Sequence, residues 1–238
     1  GIAPAFPAAL VARKEKRPEL SPAARWTARR SLTRGSPTWC YLARTRALEE
    51  PVLVAAARAD AMREGPYGSA WFAHRDAAAT IVGIEMRGPE YRGFSADGDK
   101  TLFQLEDRSP NSSVAVTRLV VCEAPIDVMS LAGIERLRAD TVYVSTAGGM
   151  GPHTIAALQA LLRDLATKPG SVLVAATDAD TAGEHYASQL VALATAAGVR
   201  SGRILPFGGH KDWNQVVVAR RQAVGAPPSV PATEELRA

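Results

Sequence analysis

Short apolar runs alternate with helix-like segments across the second half of the chain. The runs are Leu119–Cys122, Thr141–Ser145, Val172–Ala176 and Arg203–Phe207. The segments between them, Ile126–Arg138, His153–Ala166 and Ala182–Ala197, carry apolar residues at three- and four-residue spacing, which is typical of amphipathic helices. Strands that alternate with helices of this length predict a mostly parallel sheet with helices on its faces. We therefore expect an α/β domain over about residues 118–222.

The first half of the chain has a weaker pattern. Residues 79–88 alternate like a strand, and we expect helices around residues 37–62 and a small sheet from Ala70 to Phe103. The polar residues Asn111–Ser113 suggest a boundary. The predicted organisation is a tail at 1–18, an α+β subdomain at 19–112, the α/β domain at 113–223 and a second tail at 224–238.

Paired carboxylates follow the third apolar run. The run Val172–Ala176 stops at Thr177, and Asp178 and Asp180 follow it. Side chains two residues apart on an extended chain point the same way, so this pair could face one hard cation. Short acidic pairs also occur in turns and at helix N-caps, and the pair alone does not separate the two interpretations.

The first apolar run also ends in acidic residues. Glu123 follows Cys122 directly, and Asp127 comes four residues after Glu123. The carboxyl ends of parallel strands form one edge of a sheet, and open α/β sheets place their binding sites at this edge. Two strands that end in acid therefore strengthen the hypothesis of a metal site.

These motifs together resemble the Toprim domain of bacterial replicative primases, topoisomerases, overcoming-lysogenization nucleases and recombination mediators. The resemblance rests on Glu123–Asp127 and on Asp178–Gly183, and residues 141–149 are similar to the intervening strand and glycine-rich turn. It implies a Rossmann-like, mostly parallel four-stranded sheet with flanking helices, preceded by a smaller basic α+β subdomain. It also implies Mg²⁺ or Mn²⁺ as cofactor. The implied catalytic residues are Glu123, Asp178 and Asp180, and the implied metal ligands are these three with Asp127 and Asp212.

A further segment, Gly209–Asn214, is similar to the Gly-Lys-Asp-Trp-Asn ending of Toprim domains in plasmid, phage and mobile-element primase-like proteins. Asp212 matches the first acidic position of replicative primases, whereas Asn214 replaces the second. The alternative is a helix that begins here, with Asp212 as its cap and Trp213 packed against the domain.

The primase resemblance also suggests where nucleic acid binds. In primase cores a basic groove between the two parts holds template and nucleotide, which makes Arg87, Arg92 and Lys100 candidates for phosphate contacts. Tyr91 and Phe94 are candidates for base stacking. Lys211 joins the nucleotide-binding candidates. The alternative for residues 79–103 is a solvated hairpin.

Composition adds a general preference for polyanions. The 238 residues carry a net charge of +4, and residues 11–46 contain ten basic residues opposed only by Glu15 and Glu19. Such a run either lies along DNA or is a solvated helix face. The two cysteines, Cys40 and Cys122, are too few for a four-thiolate zinc site. The first ten residues lack a charged leader and are too short to span a membrane, so we expect a cytoplasmic protein without a membrane partner.

The function that the resemblance implies is a Mg²⁺-dependent primase-like nucleotidyltransferase from a plasmid or mobile element. Its partners would be single-stranded DNA and nucleoside triphosphates, with a helicase or relaxase as a further partner, and its product short RNA primers. One alternative is a Toprim nuclease that uses water as nucleophile and needs no nucleoside triphosphate. Another is a non-catalytic DNA-binding module in which the acidic residues are structural.

Overall fold

The computed structural model describes residues 20–107 and 114–225. Its N-terminal part contains helices α1 (Pro22–Thr27), α2 (Pro37–Cys40) and α3 (Glu50–Arg58), with a π-helical turn at Tyr41–Thr45 and a single tight turn at Pro66–Gly68. The strands β1 (Met62–Glu64), β2 (Ala70–Arg75), β3 (Ile81–Arg87) and β4 (Arg92–Phe94) form an antiparallel sheet in the order β1-β2-β3-β4.

A second sheet is built from the strands that carry the acidic residues. The elements are β5 (Phe103–Glu106), β6 (Arg118–Cys122), α4 (Pro125–Ile134), β7 (Thr141–Ser145), α5 (Pro152–Ala166), β8 (Val172–Ala175), α6 (Thr181–Ala196), β9 (Arg200–Arg203) and α7 (Trp213–Gly225). The strand order is β5-β7-β6-β8-β9. The four strands from β6 onward are parallel, and β5 is antiparallel to β7. The prediction of a parallel-rich α/β sheet is confirmed.

The side chains of β6 point alternately to the two faces of the sheet and so pack into two separate layers of the core. Val120 and Cys122 face a cluster that includes α4, α7 and the N-terminal sheet, whereas Leu119 and Val121 face a cluster with α5 and α6. All four residues are fully buried. A strand covered on both faces needs apolar residues at every position, which explains the unbroken apolar run. The sheet is therefore sandwiched, and only its ends remain open for a site.

Two details of the predicted sheet were wrong. We placed Phe103 in the N-terminal sheet, but Phe103–Glu106 pairs with β7 and gives the second sheet five strands instead of four. The local alternation of apolar and polar residues predicts a strand but does not indicate which sheet the strand joins. The last strand is Arg200–Arg203, not Arg203–Phe207, because an edge strand that is mostly exposed needs no apolar run.

Several sequence predictions fall on residues outside the described ranges. These are most of the two tails, the boundary at Asn111–Ser113 and the part of the basic run before residue 20. In the described part of the chain, no helix is both long enough and apolar enough to cross a bilayer.

Candidate active site

Four of the five carboxylates predicted from the sequence line one cleft, and Asp180 is the exception. The cleft has a volume of about 780 Å³ and lies where the carboxyl ends of β6 and β8 meet the turn between β3 and β4. Glu123, Asp127, Asp178 and Asp212 line it. Arg46, Arg87, Arg92 and Lys211 line it as well. A cleft with acidic and basic groups side by side can hold a cation and a phosphate together.

Glu123 and Asp178 are joined across the sheet. β6 pairs directly with β8, so the residues that follow the two strands are neighbours. The backbone N–H of Asp178 donates to Glu123 Oε1 at 3.1 Å. Burial raises the pKa of Glu123, and the negative charge of Asp180 adds to the rise. The structure thus brings together two of the three predicted catalytic side chains.

Asp178 carries the one carboxylate oxygen of the cleft that is buried without a hydrogen-bond donor in the described part of the chain. Its Oδ1 atom is buried and accepts no hydrogen bond within the described residues. Burial, and then the negative charges of Glu123, Asp212 and Asp180, raise its pKa to about 7. A buried carboxylate oxygen without a donor is costly unless a proton or cation approaches it. Carboxylate oxygens are the ligands that Mg²⁺ and Mn²⁺ prefer, and the donor set fits such an ion.

Asp180 has different neighbours from Asp178. Its Oδ1 accepts from the Gly183 N–H at 2.8 Å and caps α6, while its Oδ2 lies 2.9 Å from Lys211 Nζ. The Gly183 hydrogen bond and then Lys211 lower the pKa of Asp180. Asp180 is therefore a helix cap, as the alternative interpretation of the sequence predicted. Because both Asp180 oxygens have partners, Asp178 and Asp180 do not both direct free oxygens at one common point.

Gly183 allows α6 to begin close to Asp178. A Cβ atom built on Gly183 would lie 2.0 Å from the Asp178 carbonyl oxygen. Thr177 Oγ1 also donates to the Gly183 carbonyl oxygen at 2.8 Å. The glycine of the Asp-x-Asp-x-Ala-Gly pattern therefore permits a tight turn from β8 into α6, which holds Asp178 at the cleft wall.

Asp127 lies deeper than Glu123, at the start of α4. It is 8% exposed, and its Oδ1 accepts from the backbone N–H of Asn214 at 3.1 Å. Burial, and then the charges of Asp212 and Asp178, raise its pKa to about 8. Asp127 therefore keeps its proton to a higher pH than a solvent-exposed aspartate does.

The contacts of Asp212 and Asn214 are those expected if a helix begins at this segment, which was the alternative interpretation of the sequence. Asp212 Oδ1 accepts from the Gln215 N–H at 2.7 Å, which caps α7. Asn214 is buried, and its Nδ2 donates to the Arg46 carbonyl oxygen at 2.7 Å and to Ser130 Oγ at 3.0 Å. An aspartate could not make these two donations. Asn214 thus ties α7 to α4 and to the N-terminal part.

Trp213 fixes the same helix start. Its side chain is buried, and Nε1 donates to the Ala176 carbonyl oxygen at 2.8 Å, just after β8. We expect Trp213→Phe to lower the free energy of unfolding by about 1–2 kcal/mol, since it leaves this carbonyl without its donor. Urea denaturation will measure the change, with Trp39→Phe at a partly exposed tryptophan as control. An equal loss in both variants would contradict a specific role for the hydrogen bond.

The predicted nucleic-acid contacts divide between two neighbouring cavities. Arg87, Arg92 and Lys211 line the carboxylate cleft, whereas Lys100 lines an adjoining cavity of about 340 Å³ together with Arg87, Arg92 and Phe94. Arg87 Nε donates to the buried Glu85 Oε1 at 2.9 Å, which fixes its direction.

Arg46 is a basic residue of the cleft that sequence reasoning did not single out. Its Nε donates to the Tyr41 hydroxyl oxygen at 2.9 Å, and its Nη1 lies 3.5 Å from Asn214 Oδ1. It was one of ten basic residues between 11 and 46, and nothing in that run distinguished it from the others. Its partner Asn214 is distant along the chain, so only the fold brings it to the site.

Between residues 20 and 107 and between 114 and 225, no three Asp, Glu, His or Cys side chains form a ready-made metal site. Mg²⁺ is often bound by one or two carboxylates, and waters and substrate phosphates complete its shell. The pair Glu123 and Asp178 meets that smaller requirement.

Two family models match the chain. Residues 40–111 match a family described as a protein of unknown function (DUF3991). Residues 120–217 match a family described as Toprim-like. The chain carries a Toprim-like domain. The match runs from β6 to α7 and includes every predicted catalytic and metal-binding residue, so the resemblance inferred from the motifs is confirmed.

Solved primase structures are similar to the chain as well. The primase fragment of the bacteriophage T7 primase-helicase is 16% identical, with a TM-score of 0.46, over 76% of this chain and 71% of its own. The Aquifex aeolicus primase, with its zinc-binding and RNA polymerase domains, is 14% identical, with a TM-score of 0.48, over 80% and 56%. The RNA polymerase domain of the Mycobacterium tuberculosis primase is 16% identical, with a TM-score of 0.46, over 79% and 75%. No curated protein sequence matches the chain.

Proposed function

We propose that the chain is a divalent-metal-dependent, primase-like nucleotidyltransferase that joins ribonucleotides on single-stranded DNA. The observation that carries the proposal is the cleft of the Toprim-like domain, in which Asp178 and Glu123 are neighbours, Asp178 Oδ1 is buried without a donor, and three arginines and a lysine line the same space. Phosphoryl transfer needs these two features together, a place for a cation and positive groups for phosphate oxygens.

In this proposal each part of the cleft has a separate task. Glu123 and Asp178 hold Mg²⁺ or Mn²⁺, with Asp127 and Asp212 as nearby negative charges. A bound cation would supply Lewis acidity to the phosphoryl group under attack. Glu123 could alternatively act as general base toward the attacking hydroxyl, and its raised pKa suits that role.

The basic residues bind phosphates of template and nucleotide. Arg87 and Arg92 lie between the cleft and the cavity lined by Lys100, so phosphates in both spaces can contact them. Lys211 is held at the rim by Asp180, which makes Asp180 a positioning residue for that lysine. A phosphate that approaches Lys211 would draw it from Asp180 and free a carboxylate oxygen beside Asp178.

Two finer parts of the proposal rest on the motif resemblance alone. These are an origin in a plasmid or mobile element and a helicase or relaxase as partner. A cytoplasmic location is a further part of the proposal. The ending Gly209–Asn214 supports the first.

A non-catalytic nucleic-acid-binding module is the second candidate. The observation that favours it is the use of Asp180 and Asp212 as helix caps. In such a module the acidic residues would shape the turns, and loss of Asp178 and Asp180 would leave DNA binding unchanged.

The deciding experiment incubates single-stranded DNA with labelled ribonucleotides and Mg²⁺ or Mn²⁺. The native chain is compared with Asp178→Asn/Asp180→Asn and with Asp97→Asn/Asp164→Asn, which changes two exposed aspartates outside the cleft by the same charge. We expect metal-dependent products longer than a dinucleotide from the native and control proteins and none from the cleft variant.

Two other results would replace the proposal. DNA shortened without added nucleotides would identify a Toprim nuclease. DNA binding without any reaction, unchanged in the cleft variant, would identify the non-catalytic module.

A further inference from the structure

A second cavity adjoins the carboxylate cleft along the turn between β3 and β4. Its volume is about 580 Å³, and it shares residues 88–91 with the cleft. Pro66, Tyr67, Trp71 and Met86 give it apolar walls, and Arg25 and Arg29 of the N-terminal part complete it. We call this space the aromatic–arginine pocket. Of the residues that line it, only Tyr91 was singled out from the sequence as a candidate for base stacking.

Two aromatic rings of this pocket are exposed to solvent. Tyr67 is 100% exposed and Tyr91 is 56% exposed, which is unusual for large rings on a folded domain. The backbone of Tyr67 has φ of 55°, a conformation that aromatic residues rarely adopt. Hydrogen bonds between residues 65 and 69 close this turn and hold it in place. The fold therefore presents a bare ring at the mouth of the pocket, where it can stack on a planar ligand.

Basic groups outnumber acidic ones in the lining of the pocket, which includes Arg25, Arg29 and one carboxylate, Glu90. The guanidinium groups of Arg25 and Arg29 lie 5.5 Å and 4.5 Å from the centre of the Trp71 ring. Within residues 20–107 and 114–225 neither arginine forms an ion pair, and Arg29 Nε is buried without an acceptor. Arginines stacked on an aromatic ring keep their outer N–H groups directed outward, which suits a phosphate.

A ligand that satisfies both features carries a planar ring and a negative charge a short distance apart. Nucleotide units of a single strand have this chemistry, since their bases are free to stack on protein rings while arginines bind the phosphates. In a duplex the bases are stacked on each other and cannot enter such a pocket. An apolar peptide would leave the arginines without a partner.

We propose that the aromatic–arginine pocket binds one unstacked base of a single-stranded nucleic acid together with its phosphate. The strand then crosses the turn at residues 88–91 and continues into the carboxylate cleft. The proposal extends the proposed function by naming a fixed point on the path of the strand, and it rests on that function only for the role of the strand as template.

The test uses fluorescein-labelled twelve-residue oligothymidylates in which one abasic site is moved along the strand. Fluorescence anisotropy in EDTA without nucleotides gives the affinity of each for the native protein, for Tyr67→Ala/Tyr91→Ala and for Val191→Ala, which alters an exposed apolar residue on α6. We expect the native protein and the control to bind about tenfold more weakly when one particular position is abasic. The tyrosine variant should bind the intact strand about tenfold more weakly and respond equally to every abasic position.

A second variant tests whether the two arginines bind phosphate. Arg25→Gln/Arg29→Gln should reduce the slope of log affinity against log salt concentration by about 0.7 for each phosphate that the variant no longer binds. Oligouridylate in place of oligothymidylate tells whether DNA or RNA is the preferred strand. Circular dichroism of both variants checks that they remain folded.

The outcomes separate this proposal from the function of the cleft. A native protein equally sensitive to every abasic position, or a tyrosine variant that keeps the position-dependent loss, would overturn the pocket proposal even if nucleotide transfer is observed. A duplex that binds with the same tyrosine dependence would also overturn it. The Asp178→Asn/Asp180→Asn variant should still bind most weakly when the same position is abasic, whatever its overall affinity, so failure of the catalytic proposal alone leaves the pocket proposal intact.

Discussion

Asp178→Asn is expected to lower the rate of the metal-dependent reaction by at least about a thousandfold, which corresponds to several kcal/mol of lost transition-state stabilisation. Asp178 has a buried oxygen without a hydrogen-bond donor, and asparagine replaces the charge that would bind a cation there. The side chain keeps its shape, so the cleft should remain folded. Single-turnover incorporation at saturating nucleotide, for the native chain and the variant, is the measurement.

The same variant should lose the response of stability to metal. A divalent ion at ten times its dissociation constant should stabilise the native protein by about 1.4 kcal/mol, through binding to the folded state alone. Because the pKa of Asp178 is raised to about 7, this stabilisation should grow between pH 6 and pH 8 as the ion competes less with a proton. Thermal unfolding with and without Mg²⁺ measures it. An equal melting shift in Asp178→Asn would place the ion elsewhere.

Asp180→Asn provides the contrast within the same turn. Asparagine caps helices about as well as aspartate, so the hydrogen bond from Gly183 can be retained. The ion pair with Lys211 is lost. If Asp180 acts by positioning Lys211, its replacement should raise the Michaelis constant for the nucleotide more than it lowers the turnover rate. A turnover loss as large as that of Asp178→Asn would instead make Asp180 a direct metal ligand.

The sequence was sufficient to predict which acidic residues lie at the ends of the strands. Glu123 follows its apolar run directly and Asp178 follows its run after Thr177, and the pairing of β6 with β8 brings the two residues together. The inference from i and i+2 spacing was less complete. It assumed that the chain stays extended as far as Asp180, whereas β8 ends at Ala175 and Asp180 caps α6.

The rest of the site depends on contacts that local patterns do not encode. Arg46 reaches the cleft through Asn214, 168 residues away along the chain. Tyr67 is exposed in a turn whose backbone conformation is unusual for tyrosine, so the backbone preferences of tyrosine do not predict this turn. β9 lies at the edge of the sheet and has an almost wholly exposed sequence, so hydrophobicity gives no signal for it.

Asp127→Asn is expected to raise stability at alkaline pH in the absence of metal. The pKa of Asp127 is about 8 in the folded protein, chiefly through burial, against about 3.9 in an unfolded chain. Between these values the unfolded chain releases a proton that the folded protein retains, so native stability falls as pH rises from about 4 to about 8. Asparagine does not ionise, so the variant does not lose stability in this way as pH rises. It should match the native protein near pH 4 and exceed it by a few kcal/mol near pH 8 to 9.

The measurement is urea denaturation in EDTA at pH 4 to 9, with Asp140→Asn as a control of opposite sign. Arg138 lowers the pKa of Asp140 to about 2, so that carboxylate stabilises the fold above pH 4 and the stabilisation is lost as pH falls toward 2. Asp140→Asn should therefore be less stable than the native protein at neutral pH. If Asp127→Asn is also less stable at pH 8, the Asp127 carboxylate is stabilised by its neighbours there and is not held protonated by burial. With Mg²⁺ present the advantage of Asp127→Asn should shrink, because a cation in the cleft offsets the repulsion from Asp212 and Asp178 that the substitution removes.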